Sequence, residues 1–196
     1  MKITFLTIAV GGAMFVLSSC DLFTTRPTEP PLDSGSPWIY PIQVSQVFDN
    51  MAQAVIELNS DHYIRCFFTP DDSAALFLFI PNPAVAGWPI AGDWGYNEEL
   101  QTVEYLFSQM TPEMPGFLAF QTESELEYGN QDSVWITKTY TLVLPVNDPT
   151  LPQEVRGRCD FYLAKNSTGY WAIYRWEDLE NLEGYASWTD LKAGLY

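Results

Sequence analysis

Acid–base chemistry near neutral pH calls for a histidine, or for a group whose pKa has been moved, and this sequence has a single histidine, His62. Asp61 beside it makes no dyad, because adjacent residues on a helix point in different directions. A serine or cysteine nucleophile would need the same histidine as its base. The second candidate is Lys138, which interrupts the apolar face of a predicted strand between Ile136 and Tyr140. An ammonium there must either reach a polar cavity or extend past the rim. His62, Lys138 and Tyr140 are therefore the residues expected to line a pocket. Glu123, Glu125 and Glu127 stand on one side of another predicted strand at roughly 7 Å intervals. Carboxylates strung along one strand do not converge on a point as a calcium site requires, so they read as a solvated edge. Cys66 and Cys159 are too few for a structural zinc site and form no Cys-x-x-Cys pair. Outside the cytoplasm they could form a disulfide; the alternative is two buried thiols that behave as small hydrophobes. Nothing in the sequence implies a metal or a cofactor, and no phosphate-cradling glycine loop or dinucleotide fingerprint is present.

The elements that must hold these residues are readable from periodicity. Val44, Val47, Phe48, Met51, Val55 and Leu58 fall at helical spacing and predict a first helix over 44–58. Asn59-Ser60-Asp61 interrupts it, and a short second helix is predicted from His62 to Phe68, ended by Thr69-Pro70. The apolar run Ala75 to Ile80 predicts a short strand. Asn97 is placed to cap a third helix with Leu100, Val103, Leu106, Phe107 and Met110 on its apolar stripe. Three longer stretches alternate at the period of half-buried strands. They are Phe117 to Tyr128, Ser133 to Val146, and a hairpin of Val155–Ala164 with Tyr170–Trp176 about the Asn166–Gly169 turn. In the first, Leu118, Phe120, Leu126 and Tyr128 are expected on one face. In the hairpin, Arg156, Arg158 and Asp160 share the wetter face, where an ion pair is expected. Helices first and an antiparallel meander afterwards make an α+β fold, with N-terminal helices packed on a curved sheet.

The first residues carry an address. Lys2, the apolar run Ile3–Leu17 and Leu17-Ser18-Ser19-Cys20 read as a leader over 1–19, too short to span a bilayer comfortably. The tetrapeptide resembles the lipobox of bacterial lipoproteins, which implies acylation of Cys20 and anchoring to the non-cytoplasmic side of a membrane. Residues 20–40 contain Pro27, Pro30, Pro31 and Pro37 among polar residues and read as an extended stalk, leaving 41–196 as one domain. The formal net charge of -16 repels nucleic acid and the anionic face of a bilayer. Membrane contact is thus expected through the lipid on Cys20 and not through basic residues.

The element order resembles the nuclear transport factor 2-like superfamily, the cystatin-like cone that also houses ketosteroid isomerases and polyketide cyclases. The local matches are Tyr63 through Phe68 with Thr69-Pro70-Asp71, Trp94 before Glu98-Glu99, Gly169-Tyr170-Trp171-Ala172-Ile173, and the tail Ser187-Trp188-Thr189-Asp190-Leu191-Lys192. They look like the pattern of envelope lipoproteins in that superfamily. The resemblance implies a curved sheet around the first helix, an apolar pocket at the open end and homodimerisation through the sheet. An isomerase site is not carried over: Tyr140, Tyr162 and Asp160 have the right types, but Asp160 is predicted outward and no inward carboxylate matches the base. Three readings remain. One is a lipid-anchored module of the bacterial envelope that binds a small apolar ligand or another envelope protein. The second is an isomerase, dehydratase or cyclase using the same pocket, and the third a structural subunit that dimerises through its sheet.

Overall fold

The structure is a computed structural model that describes residues 38–72, 75–86, 88, 92–127 and 132–195. The leader over 1–19, Cys20 and all of the stalk before Trp38 lie outside the described residues.

Helix α1 (Val44–Glu57) forms where the apolar spacing requires it, with Val47, Phe48, Met51 and Val55 buried. Its first turn is tied by the Gln46 side chain, which accepts from the Ile42 and Gln43 amides at 2.8 and 2.9 Å. Leu58 stops it in the left-handed conformation at φ 54°. Helix α2 (Ser60–Ile64) is capped by Asn59, whose side chain accepts from the His62 amide. It is shorter than the sequence suggests. Cys66 and Phe68 leave the helix to pair with the sheet, the Cys66 carbonyl accepting from Ile173 N at 2.8 Å and Phe68 N donating to Ile173 O at 2.9 Å. After strand β1 (Leu78–Ile80), helix α3 (Tyr96–Ser108) begins one residue before its predicted Asn97 cap. Gly95 takes that role, its amide donating to Glu98 at 3.0 Å.

Strands β2 (Phe117–Glu127), β3 (Ser133–Val143), β4 (Glu154–Lys165) and β5 (Trp171–Asn181) form the predicted antiparallel meander. Strand β1 adds to β5 in parallel, giving the order β1-β5-β4-β3-β2. The inner face of the sheet carries Leu118, Phe120, Ile136, Tyr140, Leu142, Cys159, Phe161 and Trp176, and α1 lies on it. Phe48 meets Phe120 and Phe161 edge-on at ring separations of 5.2 and 5.0 Å.

Two local departures matter. The β2–β3 register shifts between Thr122 and Ser124, so the residues beyond exchange faces. Leu126 consequently lies opposite Trp135 and is 55% exposed, where simple alternation puts it inside. And β5 runs on to Asn181, beyond the predicted end at Trp176, which carries Asp178 into the interior. Helix α4 (Trp188–Ala193), with Ser187 as its cap, then folds back into the cone.

Candidate functional site: the closed interior of the cone

Two carboxylates lie in the interior, each at the centre of its own network. Glu99 is on the buried stripe of α3 with Thr102, Val103 and Leu106. Its oxygens accept from Tyr63 Oη at 3.0 Å, Trp94 Nε1 at 2.8 Å and Lys192 Nζ at 2.6 Å. Both members of the Glu99–Lys192 pair are shut away from solvent, at 1% and 0% exposure. The Lys192 ammonium is walled by aromatic rings: Phe79 at 3.4 Å from its centroid, Trp176 at 4.4 Å, Trp94 at 5.0 Å and Trp188 at 5.7 Å. All four separations lie within the range of a cation–π contact. Burial pushes the Lys192 pKa down against the opposing pull of Glu99, and burial and Glu99 push the Tyr63 phenol up.

The second network fastens α4. Asp178 accepts from Tyr140 Oη at 3.0 Å, from Thr189 N at 2.9 Å and from Thr189 Oγ1 at 2.6 Å. Tyr140 Oη in turn accepts from Trp188 N at 2.9 Å, and Thr189 Oγ1 accepts from Asn82 N at 2.8 Å. Burial holds the Asp178 carboxyl above the ordinary carboxylate range, and burial with the Asp178 charge raises the Tyr140 phenol. Among the described residues a void of about 10 Å³ lies beside Glu99, bordered also by Thr102, Phe107 and Trp188. That is about the space one water molecule needs. Two roomier clefts are more open. One of about 330 Å³ is bordered by Gln101, Tyr105, Asp148 and Leu195, and one of about 260 Å³ by Phe120, Tyr140, Thr139, Arg156 and Glu183.

The residues singled out in the sequence fall in different places. Tyr140 is in the interior, as expected, but as a structural link between Asp178 and α4. Lys138 also points inward, passing its ammonium over the Phe48 ring at 4.2 Å to donate to Thr122 Oγ1 at 2.6 Å, and burial lowers its pKa. His62 stands apart from both on α2. Its Nδ1 is 3.5 Å from Glu57 and its ring packs on Trp38 at 5.6 Å. The expectation that the interior lacks a carboxylate is corrected by Glu99 and Asp178. Asp160 is on the outer side, as predicted, but its partner is Thr137 Oγ1 at 2.7 Å. The arginines beside it pair with Glu154, Glu183, Glu123 and Glu180. Among the described residues no group of three or more His, Cys, Asp and Glu side chains could hold a metal ion.

Of the two alternatives open for Cys66 and Cys159, the structure has the second, since both are free and buried. Each thiol is turned to a different carbonyl group: Cys66 to Val47 O at 3.5 Å and His62 O at 3.6 Å, Cys159 to Lys138 O at 3.6 Å. Burial raises both thiol pKa values, so little thiolate exists to react. Thiol titration of the denatured, unreduced chain is expected to recover both cysteines, and the native protein to resist alkylation at both. Recovery of neither would restore the bridge.

With this geometry in hand, solved structures can be compared. A nuclear transport factor 2-like protein of unknown function from Shewanella oneidensis superposes with a TM-score of 0.51 over 70% of this chain and 96% of its own, at 14% identity. The fold is that of the nuclear transport factor 2-like superfamily. A conserved protein from Planctomyces limnophilus superposes at 0.52, over 71% of this chain and 94% of its own, at 13% identity. No family model and no curated protein matches the sequence. In this chain α4 fills the cone, with Trp188 against Tyr140 and Trp176 and Lys192 against Glu99.

Three of the residues that hold the interior escaped the sequence reading, and each left a signal. Glu99 sits three, four and seven residues from Thr102, Val103 and Leu106, which places it on their stripe. Asp178 follows Trp176 by two, the period of the inner face. Lys192 lies in the tail that resembles the family pattern, where Ser187 and Asp190 form a capping box.

Proposed function

We propose that this chain is a lipid-anchored module of the bacterial cell envelope that works by binding and not by catalysis, with a cone interior held shut by its own last helix. The observation that carries this reading is that the interior acids and bases are engaged with one another. Glu99 is committed to Tyr63, Trp94 and Lys192, and Asp178 to Tyr140 and Thr189. General acid–base catalysis needs a titratable group within reach of a substrate atom, in a space that admits the substrate. An interior void of about 10 Å³ admits none while α4 is docked. The same closure argues against a small apolar ligand in the closed form and favours a partner met at the surface, another envelope protein or a second copy of this chain.

Anchoring is supported by the Leu17-Ser18-Ser19-Cys20 junction and the proline-bearing stretch after it. The mature protein is expected to carry acyl chains on Cys20, read by mass spectrometry of its N-terminal peptide, and Cys20→Ala to release the domain or leave the precursor uncleaved. Finding Cys20 unmodified in a soluble wild-type protein would remove the anchor from the proposal.

Absence of catalysis is tested with ketosteroid and cyclisable polyketide-type substrates on the wild type, His62→Gln and Lys138→Met. No turnover is expected from any of them. Turnover by the wild type that either substitution abolishes without unfolding would establish the enzyme reading in its place.

A further inference from the structure

The Lys192 site is built like a receptor. Its walls are the π-faces of Phe79, Trp94, Trp176 and Trp188, its floor is the Glu99 carboxylate, and the other donors on that carboxylate, Tyr63 Oη and Trp94 Nε1, hold it in place. A position that served only to fill space would be met as well by an apolar side chain, since a buried ion pair is often no more stabilising than its hydrophobic replacement. Here every surface that faces the ammonium carries negative potential, from the ring quadrupoles or from the carboxylate. Most of that lining does not belong to α4. Phe79 comes from β1, Glu99 from α3, Trp176 from β5 and Trp94 from the segment before α3; α4 supplies only Trp188 and the ammonium itself.

We propose that the cone interior is a receptor for a primary alkylammonium ion, occupied in this structure by the chain's own Lys192. The ligand class follows from the lining. One carboxylate neutralises one charge, the rings accept N–H and polarised C–H groups, and the unbranched methylenes of the buried lysine are the pattern for the ligand's alkyl chain. The proposal rests on the reading of the chain as a binding module and names what its interior takes when α4 withdraws. The backbone between β5 and α4 carries two consecutive left-handed residues, Glu183 at φ 55° and Gly184 at φ 77°, which is where the chain reverses to bring α4 in.

Lys192→Ala in the full chain removes a fragment equivalent to n-propylammonium and leaves Glu99 and the rings. Titration with n-propylammonium chloride, followed by tryptophan fluorescence and by the thermal midpoint, is expected to saturate. 1-Propanol, of the same length and uncharged, is expected to bind at least about tenfold more weakly, the discrimination that a desolvated cation–π contact provides. The wild type is expected to respond to neither compound, and Lys192→Ala with Glu99→Gln to lose the preference for the cation. If Lys192→Ala is unfolded alone, the same comparison is read as recovery of the circular dichroism spectrum, expected with n-propylammonium and not with 1-propanol. Equal responses to the two compounds, or no response to either, would overturn the proposal. Such a failure concerns the cage alone, whereas the binding-module reading is judged by the turnover assay.

Discussion

Adding one methyl group at Gly157 is expected to destabilise the fold by about 3–5 kcal/mol, the sum of overpacking and of stranded buried polar groups. Gly157 on β4 lies directly opposite Tyr140 on β3. A Cβ built there falls 2.6 Å from the Glu180 carbonyl oxygen and 2.7 Å from Tyr140 Cζ, and against the Tyr140 hydroxyl itself. The carbonyl belongs to the backbone of the neighbouring strand and cannot swing aside. The ring can move only by withdrawing its hydroxyl from Asp178 and from the Trp188 amide. A local steric change thus reaches α4 through one phenol. Denaturant midpoints of Gly157→Ala and the wild type measure it, and a difference under about 1 kcal/mol would show that the strands accommodate the methyl group, contrary to this account.

The second large effect is expected from Glu99→Leu, at about 3–5 kcal/mol, because it leaves the Lys192 ammonium buried with no counter-charge. Tyr63 Oη and Trp94 Nε1 lose their acceptor in the same step. The informative comparison is the cycle with Lys192→Met. Removing the lysine as well takes away the uncompensated charge, so the double variant is expected to be more stable than Glu99→Leu alone, with a strongly non-additive cycle. It is not expected to regain wild-type stability, since Tyr63 Oη and Trp94 Nε1 have still lost the carboxylate to which they donate. Additive single effects would mean that the ion pair contributes nothing as a pair.

The α+β order, the meander and the α1 stripe were legible because each rests on a local period that packing reinforces. Val47, Phe48, Met51 and Val55 are buried as their spacing requires, and β4 buries Val155, Gly157, Cys159, Phe161 and Leu163 at every second position, with Asp160 buried besides. What periodicity could not supply was contacts between residues far apart in the chain. Polar Glu99 and Asp178 obey the inner periods of their elements, but a carboxylate on an apolar stripe is acceptable only with a partner, and those partners arrive with α4. The bulge at β2 was hidden for a different reason. One extra residue inverts the faces beyond it, and the alternation of Glu123, Glu125 and Leu126 reads equally well in either phase. Lys138 breaks an otherwise apolar face, which leaves a polar cavity or the rim open to its ammonium, and only the contacts with Phe48 and Thr122 decide between them.

The docking of α4 also bears on how the chain reaches its native state. The bonds that seat this helix close long loops: Lys192 to Glu99 spans 93 positions and Thr189 to Asn82 spans 107. Loop closure costs entropy that grows with such separations, and contacts of this range slow folding. Strands β2, β3, β4 and β5 can pair by successive hairpins, whereas β1 and the segment after α2 reach β5 over separations as long as those that seat α4. Phe79, Trp94 and Trp176 stand around the Lys192 ammonium, so a chain in which α4 has not yet docked leaves these rings uncovered on that side and within reach of other unfolded chains.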